Sequence, residues 1–105
     1  MFFSRRYRAA LLDYMLGSGE LGRARAYELG RLAMHDSLGP LQILRVHQQA
    51  LDSILQSTRR GHEGLQQLRA SQEFLMESLS PFEMAYRGYV DLLPPGHGRF
   101  PHITP

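Results

Sequence analysis

Histidine and its acidic neighbours are the residues of this 105-residue chain whose types could do chemistry. They occur as His47 in an apolar segment, as the pair His35-Asp36 and as the pair His62-Glu63. The sequence has no recognisable nucleophile, glycine-rich phosphate loop or pair of spaced carboxylates to complete a reaction centre. We therefore predict a non-catalytic protein with no catalytic residue, no cofactor and no metal site.

His47 would be a phosphoacceptor if the chain were a phosphorelay component, which is a four-helix bundle with one exposed histidine. Such domains usually place a lysine and a glycine within a few residues of the histidine, whereas Gln48, Gln49 and Ala50 follow here. We therefore predict that His47 is a core or interface histidine with a hydrogen-bond partner.

The other histidines fit structural roles better than chemical ones. His35, beside Asp36 at a predicted helix end, suits the helix dipole. The pair His62-Glu63 resembles the His-Glu dipeptide of histidine kinase dimerisation helices, but Gly61 and Gly64 break helices around it. We expect at most weak metal binding by the two histidines of the C-terminal tail, His97 and His102.

Composition limits the classes of protein that fit. The length suits one domain with a thin core, and the absence of cysteine excludes disulfides and thiolate metal sites. All twelve basic residues are arginine, but the net charge is only +2, which argues against nucleic-acid binding. No apolar run approaches the about 20 residues of a membrane span, and no secretory signal is visible, so a cytoplasmic protein is expected.

Apolar periodicity predicts four helices, at about 4–16, 20–36, 40–58 and 65–91. Ser4 is a candidate N-cap, and Pro40 suits the first turn of the third helix. Short connections between the helices favour an all-α four-helix bundle with antiparallel neighbours. The first helix carries one apolar stripe: Phe3, Tyr7, Leu11 and Tyr14.

The second and third helices have faces that require partners. Ala26, Gly30 and Ala33 share a face of the second helix that would let another helix approach closely. The third helix is apolar on two sides, so it needs two partners, and in so small a protein one could be a second copy of the chain. Its two stripes are Leu41, Leu44, Leu51 and Leu55, and Ile43, His47, Ala50 and Ile54.

The fourth helix is predicted to continue through Pro81, which removes a backbone hydrogen bond and must be compensated by packing around a kink. Its apolar stripe is Leu75, Leu79, Phe82, Tyr86 and Tyr89. Part of that stripe is expected in a dimer interface, because such interfaces favour aromatic residues, Met and Arg. Glu83 and Arg87 are spaced to form a surface ion pair within the helix, or alternatively to reach a partner helix.

Two domain segments follow from these patterns. Residues 1–91 form the helical domain. Residues 92–105, rich in Pro and Gly, are predicted to be a tail or linker.

Two runs carry a family resemblance: PFEMAYRGY at 81–89 and LGRLAMHDSLGPLQILRVHQQAL at 29–51. They resemble the N-terminal domain of RsbU-type phosphatases, which regulate bacterial stress-response sigma factors, over about 7–91. The residues that match the family pattern are Gly30, His47, Leu51, Pro81, Phe82, Glu83 and Tyr86.

The resemblance implies a helical, dimeric domain, usually joined to a PPM-type serine phosphatase. It also implies a partner, a switch kinase of the GHKL ATPase class like RsbT, whose binding activates the phosphatase. No catalytic domain follows in these 105 residues, so an excised domain or a stand-alone adaptor is expected. The C-terminal domain of KaiA is similar in fold to this family, and the alternative is therefore a KaiA-like adaptor that binds a peptide of a kinase.

Overall fold

Four helices account for nearly all of the chain that the structure describes, residues 2–57 and 64–94. In this computed structural model they are α1 (Phe2–Met15), α2 (Gly19–His35), α3 (Pro40–Ser57) and α4 (Gly64–Asp91). Each predicted boundary is met within one or two residues. The predicted cap at Ser4 is wrong, because α1 already begins at Phe2 and Ser4 lies inside its first turn.

The turns between α1, α2 and α3 follow local backbone chemistry. Gly17, with φ of 110°, ends α1 in a conformation that glycine adopts without strain. At the end of α2, the amide of Leu38 donates to the carbonyl of Ala33 at 2.8 Å, with Ser37 left-handed between them. Gly39 then caps α3, and its amide donates to Oε1 of Gln42 at 2.9 Å.

Ser37 stands where glycine is favoured, because its φ of 64° lies in the left-handed region, which a residue with a Cβ adopts only at a cost. Replacing Ser37 with glycine is therefore expected to raise the free energy of unfolding by about 0.5–1 kcal/mol. Chemical denaturation followed by circular dichroism measures this change. Ser37→Ala keeps a Cβ and should give no such gain, so equal stabilisation by both variants would contradict the explanation.

The hydrophobic core draws on all four helices, and α1 and α4 each pack against the other three. By contrast, α2 and α3 barely touch. Tyr7, Leu11, Ile43 and Phe74 are the largest apolar side chains that are fully buried. The predicted stripe of α1 is buried throughout, and so is the stripe of α3 that contains His47.

The buried face of α4 differs from the predicted one. The residues that α4 buries are two serines, one phenylalanine and the proline: Ser71, Phe74, Ser78 and Pro81. The predicted stripe lies beside this face, with Leu75, Leu79 and Phe82 half-buried and Tyr86 and Tyr89 each 62% exposed. Both serine hydroxyls donate at 2.7 Å to the carbonyl three residues earlier, which satisfies them inside the core.

Candidate functional site

His47 lies in the core, as predicted, with only 5% of its surface exposed. Its Nδ1 is 2.9 Å from the hydroxyl of Tyr7, and the two rings meet edge to face with centroids 5.8 Å apart. Phe74 packs against the same tyrosine, with centroids 5.2 Å apart. A phosphoacceptor must be reachable by another protein, so the phosphorelay alternative loses the exposed imidazole that it requires.

Burial controls the protonation of this buried pair. It lowers the pKa of His47, because the imidazolium would lose its hydration without an opposite charge in exchange. Burial likewise raises the pKa of the Tyr7 hydroxyl. Both groups are therefore neutral at pH 7, and the hydrogen bond between them is a bond between neutral partners.

The lowered pKa of His47 makes stability depend on pH. The unfolded chain, with a histidine pKa of about 6.5, binds a proton more readily than the folded chain does. The contribution to the free energy of unfolding is therefore complete above pH 6.5 and is lost as the pH falls below it. Denaturation midpoints measured between pH 7.5 and 5.5 should show this decline.

Matched glutamine variants isolate the histidine responsible. His47→Gln, which cannot titrate, should flatten the decline, whereas His35→Gln at an exposed position should leave it unchanged. An identical decline in wild type and His47→Gln would assign the pH dependence to other groups.

Gly30 lies at a close contact between α2 and α4. A Cβ added to Gly30 would collide with the carbonyl oxygen of Ser78 and lie 3.1 Å from Cδ of Pro81. The predicted small-residue face of α2 is thus confirmed as the surface against which α4 packs. Pro81 is buried on this contact, while α4 continues helical on both sides of it.

Beyond Pro81, α4 extends with most of its side chains in solvent. Residues 83–89 are all exposed, including the aromatic Tyr86 and Tyr89. Glu83 and Arg87 form the predicted ion pair within the helix, with Oε2 and Nε 3.0 Å apart. An exposed pair of this kind contributes a few tenths of a kcal/mol, so it does not by itself explain the segment.

Apolar side chains remain wholly or partly open to solvent along α3 and α4. On α3 the second predicted stripe is not buried: Leu41 is 59% exposed, Leu44 is 38% exposed, and Leu51 and Leu55 are half-buried. Pro40, at the start of α3, lines a shallow hollow with residues of α4. We call this surface the outer apolar face; it comprises Leu41, Leu44, Leu51, Leu55, Leu75, Met76, Leu79, Phe82 and Tyr86.

The sequence predicted both apolar stripes that make up most of the outer apolar face, and the structure leaves them half-buried or exposed. The residues that sequence reasoning missed are Ser71, Phe74 and Ser78, which occupy the interior instead. The signal that could have identified them is the spacing of small side chains on α4, which matches the small-residue face of α2.

The described part of the chain shows no arrangement of side chains typical of a catalytic or metal site. No group of three or more His, Asp or Glu side chains there could hold a metal ion. The pair His35–Asp36, with Nδ1 and Oδ1 3.3 Å apart, is exposed and stands alone. The pair His62-Glu63 and the two tail histidines lie outside the described residues. No described helix has the length and apolarity needed to cross a membrane.

The fold and this surface define the chain as an all-α domain that presents an apolar face rather than a reaction centre. A family model described as the N-terminal domain of the phosphoserine phosphatase RsbU matches residues 5–85. The chain therefore belongs to the family of RsbU N-terminal domains, non-catalytic domains that regulate a sigma-factor phosphatase. No curated protein and no solved structure gives a significant match to the sequence.

Proposed function

We propose that this chain is a dimeric interaction domain of bacterial stress signalling that binds a switch kinase of the GHKL ATPase class. The observation that carries the proposal is the outer apolar face on a member of the RsbU N-terminal family. Monomeric proteins rarely leave many large apolar side chains exposed on one side, because their contact with water is unfavourable. Membership in the family supports partners in sigma-factor signalling, with an RsbT-like kinase as the specific candidate.

The proposed dimer follows from the small size of the domain. Two copies paired through apolar side chains of α3 and α4 would make a larger platform than one 105-residue chain offers. The exposed end of α4, residues 83–89, would then stand at the edge of that platform. Residues 1–91 form the domain in this proposal, and residues 92–105 serve as a tail or linker.

Titration with a purified candidate partner tests the proposed function. Isothermal titration calorimetry with the GHKL-class switch kinase of the source organism should give saturable binding, and light scattering should give the mass of a dimer. Failure of that kinase to bind a dimeric chain would refute the partner. Capture of a kinase-derived peptide instead would favour the KaiA-like alternative.

Pro81 is proposed as a pivot within α4. Pro81→Ala restores an amide that can donate to the carbonyl of Glu77, and we expect a straighter helix whose exposed half points in a new direction. Affinity for the kinase should then fall about tenfold or more, if binding depends on that direction. Unchanged affinity and unchanged dimerisation in Pro81→Ala would refute the pivot. Glu28→Ala, at an exposed position of α2 outside the outer apolar face and outside residues 83–89, is the control.

A further inference from the structure

An open hollow of about 380 Å³ lies between the C-terminal half of α2 and the buried proline of α4. Its lining consists of Tyr27, Arg31, Met34, His35 and Pro81. None of these residues belongs to the outer apolar face, so a second copy bound on that face would leave the hollow open. Its volume is in the range of clefts that hold small ligands or part of a peptide.

The three polar side chains of the hollow stand in one row along α2. Tyr27, Arg31 and His35 are spaced four residues apart, and residues with this spacing lie one above the other on the same face of a helix. Each of them can donate a hydrogen bond, from a hydroxyl, a guanidinium and an imidazole. Met34 and Pro81 add apolar surface beside the row. The hollow therefore suits a ligand with several oxygen acceptors and an apolar part.

The guanidinium of Arg31 is exposed and available to a ligand. The ion pairs in the described part of the chain use Arg23, Arg25, His35 and Arg87, and none of them involves Arg31. A guanidinium binds the oxygens of a phosphate or carboxylate in pairs, because its N–H groups form a planar fork. Arg31 is thus the group expected to hold an anion in the hollow.

The other two donors are held only weakly. The hydroxyl of Tyr27 donates to Sδ of Met84 at 3.5 Å, and a thioether sulfur is a weak acceptor. Nδ1 of His35 lies 3.3 Å from Oδ1 of Asp36, in an exposed pair that uses only one of the two ring nitrogens. A charged oxygen in the hollow can therefore accept from both side chains at little cost.

Two features of α2 oppose an anion here, and both are weakened. The C-terminal carbonyl groups of a helix carry partial negative charge, but those of Leu32, Ala33 and Met34 accept hydrogen bonds from amides of the following turn. Asp36 carries a full negative charge beside His35, and solvent screens that charge because both side chains are exposed.

We propose that this hollow binds the phosphate group of a phosphorylated serine or threonine side chain on a partner protein. A phosphate offers three terminal oxygens, which matches the three donor groups of Tyr27, Arg31 and His35. A carboxylate has two oxygens and would leave one donor group without a partner. The apolar surface of Met34 and Pro81 favours a phosphate carried on a peptide over a free ion. The inference goes beyond the proposed function, because it requires neither a dimer nor a switch kinase.

A nuclear magnetic resonance titration with four probes tests the phosphate site. The probes are the blocked tripeptide leucine-phosphoserine-leucine, the same peptide with serine, the same peptide with glutamate, and inorganic phosphate. The phosphorylated peptide should shift the amide signals of residues 27–36 and bind about tenfold or more tighter than each other probe.

Three outcomes of this titration would overturn the proposal. Equal affinity for the glutamate peptide would show a general carboxylate site. Equal affinity for inorganic phosphate would show a site for the free ion. No shift of residues 27–36 at about 5 mM phosphorylated peptide would show that the hollow does not take the group.

Substitutions within the row identify the group that holds the phosphate. Arg31→Ala should weaken binding of the phosphorylated peptide about tenfold or more, and Arg31→Lys should recover only part of the loss, because lysine lacks the planar fork. Arg69→Ala is the control, with an equal loss of charge at an exposed position of α4 outside the hollow. Unchanged affinity in Arg31→Ala, or an equal loss in Arg69→Ala, would contradict the assignment.

Asp36→Asn supplies a test in the opposite direction. Removing the negative charge beside His35 should strengthen binding of the phosphorylated peptide about two- to threefold. Damage to the fold could not produce such a gain. Weaker binding in Asp36→Asn would show that the ligand does not approach His35 as an anion.

Discussion

Replacing Phe74 with alanine is expected to lower the free energy of unfolding by about 3–5 kcal/mol, the largest effect of any single change considered for this domain. Phe74 is fully buried, and its ring contacts those of Tyr7 and Tyr14 at centroid distances of 5.2 and 5.8 Å. Removing it would leave a cavity that the helices on either side could not fill. For a domain of this size the loss approaches the whole stability.

Urea denaturation followed by circular dichroism measures this loss, and the chain provides its own control. Phe2→Ala removes the same ring from a position that is 71% exposed. That variant should lose less than about 1 kcal/mol, mainly its contact with the guanidinium of Arg6, whose carbon lies 5.4 Å from the ring centroid. Equal losses in both variants would contradict the position of the core.

Replacing Gly30 with alanine is expected to cost about 2–3 kcal/mol, although alanine is the better helix former. The added Cβ would collide with the carbonyl oxygen of Ser78 and lie 2.9 Å from its carbonyl carbon. Those atoms belong to the backbone of α4 and cannot rotate away as a side chain could. Relief would therefore require α2 and α4 to separate along their whole contact.

Gly88 supplies the opposite case in the same experiment. It lies within α4, and a Cβ added there meets no atom within 4 Å. Gly88→Ala should therefore raise the free energy of unfolding by about 0.5–1 kcal/mol, since only the backbone entropy changes. Stabilisation by both substitutions would show that α2 and α4 are not in close contact at Gly30.

The effect of substituting Gly30 also tests the proposed pivot at Pro81. Cδ of Pro81 lies 3.1 Å from the Cβ that Gly30→Ala would add, so Gly30 of α2 and Pro81 of α4 belong to one contact. A variant that widens this contact should change stability and the direction of residues 83–89 together. Measuring partner affinity for Gly30→Ala alongside Pro81→Ala would show whether the two positions act as a unit.

Local patterns of the sequence are sufficient for the helices and their turns. Helix periodicity and the flanking Gly and Pro residues depend on near neighbours in the chain, so they predict the four elements within one or two residues. The buried stripe of α1 is likewise predicted, because it is the one apolar stripe of that helix. On α3 the sequence predicts two apolar stripes, and only the structure shows that the one with His47 is buried. The family resemblance, carried by residues 29–51 and 81–89, is confirmed by the family match over 5–85.

Only the tertiary structure decided which face of α4 is buried and which partners meet across the chain. By hydrophobicity alone the line through Leu75, Leu79 and Phe82 outranks the line through Ser71 and Ser78. Ser78 and Pro81 nevertheless fit against Gly30, because close helix contact depends on the combined shape of two surfaces. The bond between Tyr7 and His47, 40 residues apart, depends in the same way on how α1 crosses α3. Such matches are properties of pairs of helices, and no single segment of sequence contains them.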